Sequence, residues 1–489
     1  MYWDGGASTV NWEDALNWST DTIPTADDDV LIDISATINI SSSTTINSLV
    51  LGNTGGTTTP ILNFSYDAAG TNSPLTIDSG DLVIYSGGQI THSAGTTAIV
   101  GTIAINIQNG NLTIASGGKI DATGKGYASS EGPGAGTDGS EDNGAGGGAY
   151  GGNGGNGQTG RSGGTAYGSI SNPTDMGSGG GYSGKAGYYG GAGGGLITIT
   201  IGGTLDIQGN IYANGGTAGS YNGLDDYAGG GGSGGGINIT AGTFTGAGSI
   251  AANGSAGGNI TDADGGGGSG GRVAVNYTSK TYTGTITANG GTGPDGAYNG
   301  GAGTIYLDDG TGNGDLTISN ATARTTLAEG ITPLITGTFD NVTISGYSYV
   351  PLSGTLSVSE ALSIAEYSFV RIDSSSTTTY GSISWSGTSY ISDLGGNFPL
   401  VNDHASLTIP SGATLYTNVA RTYNSITVSG TWSHWTNTTT QTYILDVDIT
   451  NDLTIASGGK IDVTGKGYAS SEGPGAGTDG SEDNGAGGG

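Results

Sequence analysis

The chain has no cysteine. Disulfide frameworks, zinc–thiolate sites and thiol catalysis are therefore excluded. Basic residues are scarce: Lys and Arg total 11 against 41 Asp and Glu, a formal charge of −30. A phosphate backbone needs a basic surface, so nucleic acid is excluded as a partner and docking on an anionic membrane is disfavoured. Proline numbers only 11 and no Gly-X-Y period accompanies it, which rules out collagen. No apolar run approaches the ~20 residues of a transmembrane segment. Met1-Tyr2-Trp3-Asp4 lacks the basic start and apolar stretch of a signal peptide. The three histidines, His92, His404 and His434, are isolated and have no Ser-His-Asp context. Hydrophobic residues make up 33 %, and Tyr outnumbers Phe 25 to 5. That supply suits a thin core repeated along an axis better than a thick globular one.

Glycine is plentiful. It supplies 103 of 489 residues, about three times the usual share of ~7 %. Its distribution is uneven, with 30 glycines among the 72 residues 124–195 and nine among the 121 residues 331–451. Between the glycine runs a short pattern recurs: an alternating strand, a small-residue turn and another strand. Examples are "GDLVIYSGGQI" from Gly80, "GNLTIASGGKI" from Gly110, "GTLDIQGNI" from Gly203 and "ASLTIPSGATL" from Ala405. Such a unit cannot bury its apolar face alone, but stacked units can. No helix is expected, and "EALSIAEY" near Glu360 reads as strand, turn and strand. The expected fold is all-β: an elongated parallel β-helix or β-solenoid with stacked glycine-rich loop insertions.

Three further segments align on Ile211, Ile250 and Ile286: "GNIYANGG", "GSIAANGS" and "GTITANGG". The Asn-Gly step reads as a turn needing positive φ. Glycine runs recur at the same point of successive units and are expected to stack on one face, either as solvated loops or as packed threefold helices of the polyproline type. In the packed form Tyr127, Tyr150, Tyr167, Tyr182, Tyr188 and Tyr189 would decorate an exposed face, of which Tyr182, Tyr188 and Tyr189 are candidate ligand-binding residues.

Composition divides the chain into four parts. Residues 1–110 are a Trp-rich cap and first coils, 111–310 a glycine-rich solenoid with inserted Gly/Tyr loops, and 311–451 a Ser/Thr-rich solenoid. Residues 452–489 begin a second copy of the 111–148 repeat. Leu112–Gly148 returns as Leu453–Gly489 with one change, Ala122 to Val463, at an offset of 341. The expectation is one period, plus the edge of the next, of a longer array.

The first segment has its own texture. Trp3, Trp12 and Trp18 precede Pro24, the run Asp27-Asp28-Asp29 and the strand Val30-Leu31-Ile32. They read as a cap over an open solenoid end, with a sugar-binding platform as the alternative. The arrangement Trp3-x-Gly5-Gly6, Asn17-Trp18-Ser19, Pro24 and Asp28-Asp29-Val30-x-Ile32 resembles a module of large repetitive bacterial surface and secreted proteins. "GGGGSGGRVAV" from Gly265 and the "LTIASGGKI" rungs resemble the same class and autotransporter passenger β-helices. The resemblance implies a right-handed parallel β-helix at a cell surface with adhesive or structural roles. It carries no catalytic residues across, and the chain shows no membrane β-barrel of the autotransporter kind.

Candidate chemistry is sparse. "DDGTGNGDLTI" sets Asp309, Thr311, Asn313 and Asp315 at alternate positions with Gly314 before the last. This resembles the start of an EF-hand-type calcium loop, with Asn320 where a closing Glu would stand. The competing reading is a polar hairpin turn. Asp138/Glu141/Asp142 and Asp262/Asp264 read as solvated. For a polysaccharide lyase or hydrolase, Asp308/Asp309 or Asp225/Asp226 can be nominated, but adjacent carboxylates in a strand point to opposite faces. The five arginines, at 161, 272, 324, 371 and 421, are scattered. "TWSHWTN" offers Trp432 and Trp435 as a sugar platform, with a packed or partly exposed strand edge as the competing and commoner reading. The reading is a non-enzymatic extracellular or cell-surface repeat protein forming a stalk, filament or surface layer, with self-association as the main partnership. The alternatives are a carbohydrate-binding adhesin and, third, a polysaccharide-degrading enzyme.

Overall fold

The computed structural model describes residues 1–66, 74–95, 101–140, 142–221, 227–260, 263–323, 326, 329–334 and 336–480. The chain divides into two compact units, Met1–Thr332 and Pro333–Gly489. The composition boundary near 310 falls in a turn of the first unit, and the one near 451 falls inside the second. The regular elements of both units are almost all short strands, most of them in parallel ladders. The only helical elements among the described residues are two 3-10 turns, Ala15–Asn17 and Gln158–Gly160.

In the first unit three ladders run side by side. The first joins Asp29–Ile32, Ser48–Leu51, Leu82–Ile84, Leu112–Ile114 and the second halves of Leu196–Ile207, Gly236–Gly246 and Arg272–Lys280. The second joins Thr37–Ile40, Ile61–Phe64, Gln89–His92, Lys119–Asp121, Asn210–Tyr212, Ser249–Ala251 and Thr285–Thr287. The third joins Thr44–Ile46, Leu75–Ile77, Thr102–Ile107, the first half of Leu196–Ile207, Gly236–Gly246, Arg272–Lys280 and Thr304–Asp308. Each successive rung of chain adds one strand to each ladder.

Register follows from alternation. In a strand every second side chain faces the same side. Here the inward positions carry mostly Ile, Leu or Val, and the outward ones mostly Thr, Ser and Asn. Ile38, Leu62, Ile90, Ile120, Ile211, Ile250 and Ile286 stack in one column. Leu75, Ile105, Ile199, Ile239, Val275 and Leu307 form another. A slip of one residue would turn a whole column to solvent, so the pattern fixes the pairing. Each fully buried Leu or Ile is worth about 1.5–3 kcal/mol.

Trp3, Trp12 and Trp18 are buried and join the core that begins with Val30, Ile32 and Ile38. Their rings meet edge to face, with centroids 5.0 Å apart for Trp3–Trp18 and 4.7 Å for Trp12–Trp18. Trp18 Nε1 donates to Trp12 O at 2.9 Å. Bridges from Tyr2 to Leu31 and from Asn11 to Asn39 lay this segment against the first rung.

The glycine runs leave the core at one recurrent point. Residues 122–195, 213–235, 252–271 and 288–303 each lie between a strand of the second ladder and one of the third. Most of their described glycines are buried. Along 230–235, consecutive amides reach three different neighbours in rotation. Gly230 and Ser233 donate to Gly181 and Ser178 (3.0 and 3.1 Å), and Gly231 and Gly234 to Gly266 and Ser269 (2.9 and 2.8 Å). Gly232 and Gly235 donate to Gly216 and Ala213 (3.4 and 2.7 Å). The same rotation recurs along 265–271. A period of three with no internal hydrogen bonds is the signature of polyproline-type helices packed side by side. Glycine serves here by lacking a side chain: a Cβ at Gly232 or Gly268 would fall well inside 3.0 Å of a neighbouring carbonyl oxygen. None of the glycines in 229–236 or 265–271 has positive φ.

The Asn-Gly steps also differ from expectation. Gly215, Gly254 and Gly290 are absent from the positive-φ residues, so the step is not a left-handed turn. Instead, Asn214 Oδ1 accepts from Asn253 N at 2.9 Å, Asn253 Oδ1 from Asn289 N at 2.8 Å, and Asn289 Oδ1 from Ala321 N at 2.9 Å. The asparagines form a ladder where the chain leaves the core, replacing strand hydrogen bonds with side-chain ones.

The second unit has parallel ladders too. Gly337–Gly346, Thr355–Ile364 and Thr377–Trp385 form one. Tyr349–Leu352, Phe369–Ile372, Tyr390–Asp393, Thr414–Thr417, Thr431–Ser433 and Lys460–Ile461 form another. The "EALSIAEY" stretch is strand to Ile364 and then turn, as its alternation predicts. The second repeat copy pairs here: Leu453–Ile455 lies along Ser425–Val428. In the first copy Leu112, Ile114 and Ile120 are buried beneath the next rung, whereas Leu453, Ile455 and Ile461 are exposed.

Candidate functional sites

The acidic turn at Asp309 is the closing loop of an antiparallel hairpin, in which Thr304–Asp308 pairs with Asp315–Asn320. Gly310 and Gly314 supply positive φ. Asp309 Oδ1 accepts from Thr311 N at 2.9 Å and Thr311 Oγ1 at 2.6 Å. Asp308 Oδ1 accepts from Gly310 N at 2.8 Å, and Tyr306 OH donates to Asp308 Oδ2 and to Asn313 O, both at 3.0 Å. Asp309, Thr311, Asn313 and Asp315 thus share one short turn, and the bonds of Asp308 and Asp309 shape it. Among the described residues no group of three or more His, Cys, Asp or Glu side chains converges as a metal cluster.

The other acidic groups separate. Asp138 Oδ1 accepts from Ser130 Oγ and from Tyr182 N. Asp264, expected to be solvated, is fully buried, because its stretch runs back inside the glycine layer. It accepts from Ile260 N at 2.8 Å, and burial pushes its carboxyl above the usual carboxylate range. Glu141, Asp225, Asp226, Asp262 and Arg324 lie outside the described residues.

The tyrosines of the glycine layer divide into two sets. Tyr127 and Tyr150, expected on an exposed face, are buried. Tyr127 packs with Met176 and Leu196. Tyr150 meets Tyr167 with ring centroids 4.9 Å apart, and the Arg272 guanidinium stands 5.6 Å from the Tyr150 ring. Arg272 Nε donates to Tyr167 O at 2.8 Å, and its burial lowers its pKa. These rings wedge the layer against the third ladder. Tyr182, Tyr188 and Tyr189 lie nearer the surface: Tyr189 is 61 % exposed, and Tyr182 and Tyr188 are half-buried. The Tyr182 and Tyr189 rings are 5.5 Å apart, so the structure brings these two together.

Trp432 and Trp435 part company. Trp432 is buried in the second unit's core, with Nε1 donating to Thr417 Oγ1 at 2.9 Å. Alternation turns it inward, in the column that holds Leu415 and Ile461, and its face is closed to a glycan. Trp435 is half-buried, edge-to-face with Tyr443 at 5.4 Å.

Sequence reasoning passed over three features. Asp393 is fully buried, and Arg421 grips it in a fork, Nε to Oδ2 at 2.7 Å and Nη2 to Oδ1 at 2.8 Å. This bond to Asp393 raises the Arg421 pKa. His92 sits fully buried in the second ladder, and burial lowers its pKa to about 4. Its Nδ1 lies 2.7 Å from Ser93 O and so carries the proton. Tyr347 and Tyr367 stack on adjacent turns of the second unit, centroids 5.0 Å apart. Only the last had a local signal, a tyrosine in each of two successive turns.

No protein-family model, curated protein or solved structure matches the chain. Among the described residues no helix is long and apolar enough to cross a membrane.

Proposed function

We propose that each unit is a block of a parallel β-solenoid, and that the protein is an extracellular or cell-surface repeat protein with a structural or adhesive role. Such a block carries load through backbone hydrogen bonds along its axis and a thin Ile/Leu/Val column. The glycine layer supports this reading most: four consecutive insertions devote their amides to joining one another. That arrangement stiffens a wall and leaves its outer surface to small polar groups and a few tyrosines. Solenoid rungs contact only their neighbours, so repeating a block lengthens the object without a new interface. A repeated surface can also meet itself, which makes self-association the expected partnership.

The test is negative-stain electron microscopy of the purified chain at rising concentration, with calcium and with chelator. Straight rods that join end to end or side by side are the expected result. Compact isolated particles at every concentration would overturn the structural reading. Loss of order in chelator would assign calcium to the Asp309–Asp315 turn, and unchanged particles would remove calcium from the account.

A further inference from the structure

The loop of the repeat is folded twice and filled once. In the first copy, residues 127–137 wrap around residues 177–182, an extended stretch of the glycine layer with the sequence Gly-Ser-Gly-Gly-Gly-Tyr. Tyr127 N donates to Gly177 O at 3.1 Å, Ser130 N to Gly180 O at 2.8 Å and Gly136 N to Gly179 O at 3.1 Å. Gly134 N donates to Ser178 Oγ at 2.9 Å. The stretch donates in return, Gly179 N to Glu131 O at 3.0 Å and Tyr182 N to Ser130 Oγ at 2.9 Å.

The second copy builds the same loop around an open space. Ser471 and Gly473 take φ of 63° and 92°, against 63° and 96° at Ser130 and Gly132. Glu472 N donates to Ala469 O and Ala476 N to Gly473 O, both at 3.1 Å, where Glu131 and Ala135 make those bonds at 3.0 and 3.2 Å. Ser471 Oγ donates to Asp479 Oδ1 as Ser130 Oγ does to Asp138 Oδ1. The loop thus holds its shape through its own bonds, and residues 468–478 surround a concavity of about 460 Å³. The amides of Tyr468, Ser471, Gly475 and Gly477 match the four loop donors above and reach no acceptor among the described residues. A receptor shaped before its ligand arrives loses less entropy on binding.

The first copy also shows what the ligand must be. A Cβ at Gly179 or Gly181 would fall well inside 3.0 Å of the Ala128 or Thr137 carbonyl oxygen of the loop. A Cβ at Gly180 would meet Gly230 instead, on another stretch of the layer. The occupant is therefore extended and uncharged, with glycine at its two loop-facing places. Residues 177–181 are buried within the layer, so a folded second copy of this chain does not offer them, and the segment comes from a different polypeptide.

We infer that residues 468–478 are a docking site for an extended, uncharged glycine-rich segment of a partner polypeptide, of the kind Gly-Ser-Gly-Gly-Gly-Tyr. Main-chain hydrogen bonds supply the affinity, and the exclusion of side chains supplies the specificity. This inference rests on the packed glycine layer and does not depend on rod formation. The test is isothermal titration of the full chain with a synthetic peptide of residues 176–195, whose second half closes over the first in the layer, Gly180 N donating to Gly191 O at 2.9 Å. The native chain binds this peptide. Gly467→Ala weakens binding by about tenfold or more, because a Cβ at the matching Gly126 would fall under 3.0 Å from the oxygens of Gly177 and Gly194. The same variant unfolds at no lower urea, since nothing of its own chain lies within 4 Å of that Cβ. Peptides carrying Gly179→Ala or Gly181→Ala lose binding to a similar extent, and the Gly180→Ala peptide binds like the parent. No binding by the native chain, equal binding by Gly467→Ala, or equal affinity of the Gly179→Ala and Gly180→Ala peptides overturns the inference. Break-up of native oligomers by the peptide, read by sedimentation, would put a second copy in the loop and overturn the choice of partner.

Discussion

Gly126 and Gly467 occupy the same place in the two copies of the repeat, with identical residues on both sides from Thr123 to Gly148 and from Thr464 to Gly489. Their surroundings are opposite. Gly126 is buried, donates to Gly193 O at 2.7 Å, and an added Cβ would sit under 3.0 Å from the carbonyl oxygens of Gly194 and Gly177. Gly467 is exposed, with nothing within 4 Å of such a Cβ. Neither has positive φ. Alanine gains the same ~0.4–1 kcal/mol at both sites from the unfolded state. At Gly126 overpacking costs about 1–3 kcal/mol, and displacing the amide from its acceptor costs a further ~1–3 kcal/mol. The expected net effect is a loss of roughly 2–4 kcal/mol for Gly126→Ala and a gain of about 0.4–1 kcal/mol for Gly467→Ala. Because the chain has two units, a single denaturation midpoint mixes both, and amide exchange read by mass spectrometry is the better assay. Peptides covering 177–195 and 213–221 exchange about 30- to 1000-fold faster in Gly126→Ala, at ~1.4 kcal/mol per tenfold. Equal exchange in both variants would refute the packed glycine layer and return these segments to solvated loops.

Two further perturbations probe the cores. Arg421→Ala strands the buried Asp393 carboxylate and destabilises the second unit by about 3–5 kcal/mol, whereas replacing the pair together by apolar residues is far milder; urea unfolding of the single and double variants separates the outcomes. His92 is held neutral, its pKa lowered from 6.5 to about 4 by burial. Its contribution is complete above pH 6.5 and is lost as the pH falls to about 4, a total of roughly 3 kcal/mol. His92→Phe, which matches Phe64 one rung earlier, should flatten the pH dependence of first-unit unfolding over that window, and an unchanged slope would remove His92 as its source.

The rungs were legible because alternation is local. "LTI" and "LVI" state which side of the strand faces inward, and a parallel stack only has to place like on like. The insertion point of the glycine runs was legible for the same reason, since a strand stands on each side of every run. Three things were not local. The Asn-Gly steps look like turns, but Asn253 is used by the rung above it, 36 residues later. Tyr127 and Tyr150 sit among glycines as if exposed, yet in a threefold lattice the neighbours of one helix come from distant parts of the chain. Tyr150 is covered by Arg272, 122 positions away. Asp264 is buried by the same long-range packing.

The inward turn of Trp432 in "TWSHWTN" has an instructive reason. The 37-residue copies, identical at 36 positions, begin at Leu112 and Leu453, but the structural correspondence begins one rung earlier. Gln89 and Ile90 pair with Lys119 and Ile120 as Thr431 and Trp432 pair with Lys460 and Ile461. Trp432 therefore holds the inward place of Ile90, and its bulk is core volume. The next two residues repeat a device. Thr91 Oγ1 donates to Asp121 O at 2.7 Å, and Ser433 Oγ to Asp462 O at 2.6 Å. His92 Nδ1 lies 2.7 Å from Ser93 O, and His434 Nδ1 2.6 Å from Trp435 O. Both places lie at a strand end, where partly buried carbonyls take side-chain donors. A hydroxyl followed by an imidazole supplies two donors at that edge. The pair serves both rungs on which this repeat sits, because a carbonyl shielded from water and left without a donor costs up to about 1–3 kcal/mol. The duplicated segment thus depends on a matched junction beneath it that sequence identity does not mark, and replacing His434 or Ser433 should loosen the second copy while leaving its own 37 residues untouched.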